Sequence, residues 1–225
     1  LEKKYKYKGV LMKTIVLAGS KGIGKGISDK LREISDEIIT TSSSELDTSN
    51  IEQVKKFVKE QKQTDILVLN TGGPPAKDFF DVTEDEWYKY HNQLFYSFVY
   101  ILQNLKINDG GYIFLISSQQ IKEPKDTMSL SVSYRIAFSS ILKLLTKRFA
   151  KNNISCINIA PGPIGTDRLK NLVGDITKLE QRLPMGRVGT TEELGLFVKS
   201  IVENNIKYLT GVTINFDGGH SNYVI

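Results

Sequence analysis

The sequence predicts a doubly wound α/β domain built on a parallel sheet. Strand-like apolar runs alternate with amphipathic helical patterns, a glycine-rich turn joins the first such strand to the first such helix, and 225 residues suit one large domain of this kind. The strand-like runs fall at residues 14–18, 37–41, 65–69, 112–117, 154–160 and 212–216. Between most of them, residues 24–34, 51–62, 84–105, 130–150 and 191–204 carry apolar side chains at three- and four-residue spacing. Thr83 and Thr190 stand as N-caps ahead of acidic first turns.

Strands alternating with helices imply a parallel sheet covered on both faces. Right-handed crossovers make the layout Rossmann-type, with ligands beyond the carboxyl ends of the strands. Only residues 42–46 separate the second strand from Asp47, too few for a helix. The expected consequence is a sheet reduced or irregular at that edge. Residues 161–184 have too little strand character for the sheet and sit where a lid over a ligand belongs.

Hydrophobic residues at 40% and charged residues at 24% exclude a disordered, collagen-like or disulfide-scaffold chain. The formal charge of +5 owes much to Lys3, Lys4, Lys6 and Lys8. A charge run this short is ordinarily solvated, so no nucleic-acid partner is expected. Residues 1–11 read as a basic lead-in and residues 12–225 as the domain, with Met12 a candidate start that would make the lead-in an upstream remnant. The lone Cys156 forms no disulfide or metal-ligand pair and reads as core packing in a reducing cytoplasm. No apolar stretch reaches the length of a membrane span, so a cytoplasmic protein without membrane contact is expected. No metal site is expected.

Residues 17–24, LAGSKGIG, follow the first strand and open the first helix. Here Gly19, Ser20, Lys21, Gly22, Ile23 and Gly24 would let backbone amides and a helix N-terminus approach a pyrophosphate. By itself such a cluster also suits a plain strand-to-helix turn. This turn is similar to the Thr-Gly-x-x-x-Gly-x-Gly signature of the short-chain dehydrogenase/reductases, with Leu17 and Ala18 in place of the first Thr-Gly pair. Leu69-Asn70-Thr71-Gly72 resembles that family's Asn-Asn-Ala-Gly stretch, residues 158–166 (NIAPGPIGT) its Pro-Gly turn, and the tail through Asp217-Gly218-Gly219 its last helix and strand.

The resemblance implies a nicotinamide dinucleotide, with Asp47 at the adenine, Asn70 and Gly72 beside the cofactor, and Pro161, Gly162, Ile164 and Thr166 at the nicotinamide amide. At the end of the second strand, where an acidic residue binds a ribose 2′-hydroxyl, the chain reads Thr40-Thr41-Ser42-Ser43. With no carboxylate in that run, Lys21, Ser42 and Ser43 favour a 2′-phosphate, and NADP is expected, NAD being the alternative.

In the family a Tyr is the general acid/base, a Lys four residues later lowers its pKa and binds the ribose, a Ser orients the carbonyl and an Asn supports a proton relay. Ser118 matches the Ser. Counting on at family spacing puts Ser131 in the Tyr position, Arg135 in the Lys position and Leu94 in the Asn position. Arg135 keeps a cation for the ribose, whereas an aliphatic hydroxyl is a far weaker acid than a phenol. Tyr134 is the other candidate proton donor if the helix is rotated or shifted, but Phe138 four residues on is no cation, and packing at the helix surface is the competing role. His91 and His220 read as structural. The expected function is hydride transfer between a nicotinamide cofactor and a small ketone or alcohol, at an atypical site. A noncatalytic dinucleotide-binding sensor or partner subunit is the alternative. Arg168 and Lys170 in the lid would suit an anionic substrate, against the default of solvated loop charges. The helices starting at Glu84 and Leu130 resemble those that pair across a dyad, implying a dimer or tetramer.

Overall fold

The computed structural model describes residues 11–224, so the remnant reading of residues 1–10 lies outside the described residues. The strands are β1 (Lys13–Val16), β2 (Glu37–Thr40), β3 (Gln63–Leu69), β4 (Lys106–Ile116), β5 (Ser155–Pro161) and β6 (Val212–Phe216). They form one six-stranded sheet in the order β2-β1-β3-β4-β5-β6 with every pairing parallel. The order reverses between β1 and β3, which opens a crevice beyond their carboxyl ends. As the short 42–46 connection implies, β2 is the edge strand.

Strand residues alternate between two cores. Ile15, Leu17, Leu67, Leu69, Ile113 and Leu115 face α2 (Ile51–Gln61), α4 (Ser97–Asn104) and α5 (Ser129–Phe149) through Val54, Phe98 and Phe138. Val16, Ile66, Val68, Phe114, Ile157 and Ile159 face α1 (Gly22–Leu31) and α8 (Thr191–Glu203) through Ile27, Leu194 and Val198. Phe138 is fully buried, so truncation to Ala is expected to cost ~3–5 kcal/mol. α1 and α8 meet backbone to backbone: a Cβ on Gly26 would lie 2.2 Å from the Thr191 carbonyl oxygen. Thr190 closes a capping box with Glu193 at the start of α8, and Thr83 does so with Glu86 at the start of α3 (Glu84–His91).

Three segments depart from the sequence expectation, the first being the strand expected over 112–117, which begins at Lys106. The helix expected over 84–105 is interrupted by a π-turn at Asn92–Tyr96 between α3 and α4. The extra residue in that turn buries Leu94 while Gln93 reaches outward to the β3 loop. The lid contributes its first residue, Pro161, to the end of β5, and it contains α6 (Asp167–Val173) and α7 (Ile176–Glu180). Thr166 and Asp175 cap these short helices with side-chain oxygens, a local signal outweighed in the sequence by the glycines and prolines around it.

Candidate active site

A cavity of about 340 Å³ lies at the carboxyl ends of β3, β4 and β5, under the lid. Its wall includes Ser118, Ser131 and Arg135, the Pro161–Gly162–Pro163–Ile164 turn, Thr166, and Ile23 from the glycine-rich turn. Four stretches far apart in the chain converge there.

α5 supplies the inner wall because of its periodicity. At about 100° per residue, Ser131, Arg135, Phe138 and Leu142 share one stripe. The first two face the cavity, while Phe138 and Leu142 continue into the core. Arg135 is buried, donating Nε–H to Ser131 Oγ at 3.3 Å and an Nη–H to the Ile116 carbonyl at 2.8 Å. Burial, and then the charge of Arg168, pull its pKa down to about 10. Ser118 caps a short 3-10 turn, its Oγ accepting from the Gln120 amide at 3.2 Å.

Tyr134 is not part of this wall, which corrects its candidacy as proton donor. It lies roughly 60° around α5 from Ser131. Its hydroxyl donates to the Trp87 carbonyl at 3.1 Å and its ring meets those of Trp87 and His91 edge to face. Burial raises the Tyr134 pKa, which makes it still less apt as a base. His91 stacks on Tyr96 in the same aromatic group, outside the cavity. His220, read as structural, does line the cavity. The missed signal is tertiary: the tail after Asp217 turns back, its His220 amide donating to the Asp217 carbonyl and Ser221 Oγ bonding Asp217 and Gln119.

At the phosphate turn, Ala18 adopts φ 48°, the left-handed conformation the family's Gly takes freely, at a cost of about 1–2 kcal/mol. Asn70 braces this turn rather than only flanking a ligand, donating Nδ2–H to the Leu17 and Ala18 carbonyls at 3.3 Å each. A Cβ on Gly24 would fall 2.1 Å from the Ala18 carbonyl oxygen, so Gly24 permits the close helix–turn approach. Lys21 enters α1 in extended backbone with no side chain capping the first-turn amides and no acidic residue among them. Gly22, at φ 52°, faces Thr166 Cγ2 across 3.5 Å from its ideal Cβ position. Free amides, the positive helix end and an open backbone fit the pyrophosphate of a dinucleotide. Gly19 is buried, Ser20 and Lys21 are exposed, and Gly72 receives an amide hydrogen bond from Gln93 at 2.8 Å.

The loop after β2 brings a further correction. Glu45, three residues beyond the run Thr40–Ser42, folds back so that its Oε2 accepts from both the amide and the hydroxyl of Ser42 at 2.7 Å. The carboxylate missing from the linear pattern is restored by the turn, and the Ser42 hydroxyl is already engaged. Hydrogen bonds from the Ser42 side chain and amide lower the Glu45 pKa. Asp47 Oδ1 accepts from the amide and hydroxyl of Ser49, and Ser43 is exposed. Thr166 Oγ1 accepts from the Leu169 amide as the α6 cap.

The lid is tied down by Arg168, whose two Nη atoms donate to the Gly73 and Pro74 carbonyls at 2.9 and 2.7 Å. Burial lowers its pKa. Lys170, its companion in the sequence pattern, instead lies exposed beside Asp167. Among the described residues no His, Cys, Asp and Glu group could hold a metal ion.

A sequence model described as enoyl-(acyl carrier protein) reductase matches residues 17–221, and the chain belongs to this family, within the short-chain dehydrogenase/reductases. It is 25% identical over 233 residues to the 3-oxoacyl-[acyl-carrier-protein] reductase FabG of Buchnera aphidicola, covering 91% of this chain and 95% of that protein. It is 31% identical over 179 residues to the 2-dehydro-3-deoxy-D-gluconate 5-dehydrogenase of Dickeya dadantii, covering 74% and 69%. Among solved structures, a short-chain dehydrogenase family protein of Francisella tularensis superposes with TM-score 0.84 at 21% identity, covering 94% of this chain and 99% of that one. A small-chain dehydrogenase in complex with NADPH superposes with TM-score 0.83 at 23% identity, covering 94% and 99%.

Proposed function

We propose that this chain is an NAD(P)-dependent oxidoreductase that interconverts a small ketone and its alcohol, with Ser118, Ser131 and Arg135 as its polar groups. The observation that carries this reading is their convergence on one cavity with the Pro161–Thr166 turn and Ile23. A bound nicotinamide supplies or accepts the hydride. Ser118 and Ser131 orient the carbonyl oxygen. Because Ser131 Oγ accepts from Arg135, its own proton is free to pass to that oxygen as the carbonyl carbon gains hydride. The nearby guanidinium then stabilises the alkoxide left on Ser131 until solvent returns the proton.

NADP is the cofactor we assign. Lys21 is exposed beside the phosphate turn, and relatives of the same fold were solved with NADPH. Glu45 acts in the opposite direction and leaves NAD as the alternative. Among the described residues no helix is long and apolar enough to cross a membrane, and the buried Cys156 suits a reducing compartment, so we place the protein in the cytoplasm. We also assign residues 12–225 to one domain. Exposed Tyr88, Tyr96, Ile136 and Leu144 on α3, the π-turn and α5 support a homo-oligomer, dimer or tetramer, paired through those helices.

A second reading, a noncatalytic dinucleotide-binding sensor or partner subunit, is favoured by the withdrawal of the Tyr134 phenol from the cavity. Titration with NADPH and NADH, read by thermal stability, followed by a panel of ketones with loss of reduced-cofactor absorbance, separates the two. Turnover supports the oxidoreductase, binding without turnover supports the sensor, and no nucleotide binding overturns both.

A further inference from the structure

The charge around the cavity is one-sided. Arg135, Arg168 and Lys125 line it, and neither Asp nor Glu does. Two carboxylates close in sequence are turned elsewhere. Asp167, beside Arg168, has a side chain 98% exposed to solvent, and its ion partner is Lys170 at 3.9 Å. Asp217, near His220, accepts from the Gly219 amide at 3.0 Å and the Ser221 amide at 3.1 Å, and from the Ser221 hydroxyl. Two guanidiniums thus share the cavity without a lining carboxylate, and the charge of Arg168 acts on Arg135. Arg135 is buried and Arg168 reaches in from the exposed lid, and a cavity that keeps two cations without a lining carboxylate is complementary to an anion.

Both guanidiniums are also held in place with hydrogen-bonding capacity to spare. Arg135 is anchored by Ser131 and Ile116, Arg168 by Gly73 and Pro74. Of the five N–H groups on each side chain, two are committed to these acceptors, which leaves a rigid fork suited to a carboxylate. The cofactor's phosphates do not account for this charge. Of the turn Gly19–Gly24 only Ile23 reaches the cavity wall, so the α1 amides that fit a pyrophosphate lie outside the space the guanidiniums share.

We propose that the substrate is a small oxo acid whose carboxylate is bound by Arg168, with Arg135 contributing charge and Ser118 and Ser131 holding the carbonyl oxygen. This rests on the oxidoreductase reading and names its substrate class. The lid then both closes the cavity and selects its occupant. The residue that latches α6 to the β3 loop is the one that recognises the anion, so a neutral ketone would leave its charge unmatched.

The test uses the full chain saturated with NADP+, so that no reduction occurs, and the probe pair 4-oxopentanoate and its amide. Calorimetric titration is expected to show the acid binding at least about tenfold more tightly than the amide, a difference of ~1.4 kcal/mol. Arg168→Gln should abolish the difference and Arg168→Lys should restore part of it. Equal binding of acid and amide, or an Arg168→Gln variant with the preference intact, overturns the proposal. So does an acid that binds the free protein but is expelled by NADP+, since the charges would then serve the cofactor. Failure of NADP+ itself to bind, with acid preference retained in the free protein, would instead sink the oxidoreductase reading and leave the anion site standing.

Discussion

Arg135 Nε and Ser131 Oγ lie 3.3 Å apart, one turn from each other on α5, and both face the cavity. Under the proposed function the pair supplies the proton donor and its supporting cation. Ser131→Ala is expected to lower kcat by about 10²–10⁴, the range of a lost general acid, with little change in thermal stability. Tyr134→Phe removes a hydrogen bond to the Trp87 carbonyl and is expected to cost about 1 kcal/mol of stability while kcat holds. Steady-state kinetics on the two variants would reverse this assignment if Tyr134→Phe proved the inactive one.

Glu45 is expected to weigh on the balance between the cofactors. Its carboxylate accepts from Ser42 beyond the end of β2, the region where the family resemblance puts the ribose 2′ group. Replacing it by Gln removes a negative charge at that place, so NADPH should bind about tenfold more tightly and NADH should gain nothing. Fluorescence titration with both reduced nucleotides reads the ratio; an unchanged ratio would remove Glu45 from the cofactor site.

Lys207 introduces a pH dependence away from the cavity. Its ammonium lies over the Tyr112 ring, 3.2 Å from the centroid, and donates to the Gly110 and Gly111 carbonyls. Burial lowers its pKa from 10.5 to about 7. Between those values the unfolded chain holds a proton the folded chain has released, so stability should rise with pH across the window and fall as pH drops towards about 7. Urea unfolding at both ends of the range should show the slope in the wild type and a flatter one in Lys207→Met.

Cys156 is packed inside β5 and burial pushes its thiol up to about 12. A buried neutral thiol is a poor nucleophile. Alkylation by iodoacetamide should therefore be negligible in the native protein and complete in urea; rapid native labelling would show that β5 opens.

The order of elements was legible because strand and helix periods differ and because the two capping boxes are local. The six strand positions, the Thr83 and Thr190 caps and the trimmed connection after β2 all follow from neighbours in sequence. The shared face of Ser131 and Arg135 was legible for a related reason: a four-residue spacing on a helix means one face, and the apolar residues after them fix which face it is. Long-range geometry was not. The Glu45 carboxylate returns to Ser42 only through the turn after β2, and the π-turn at Asn92–Tyr96 follows no local pattern. His220 reaches the cavity only because the tail after β6 turns back, and Arg168 meets Gly73 and Pro74 across more than ninety residues of chain. The sequence by itself determined the class of fold and the cofactor turn, since both rest on backbone periodicity and local steric demands. Only the tertiary structure decided which charges share the cavity, because that depends on which side chains the closed lid brings together without a carboxylate between them.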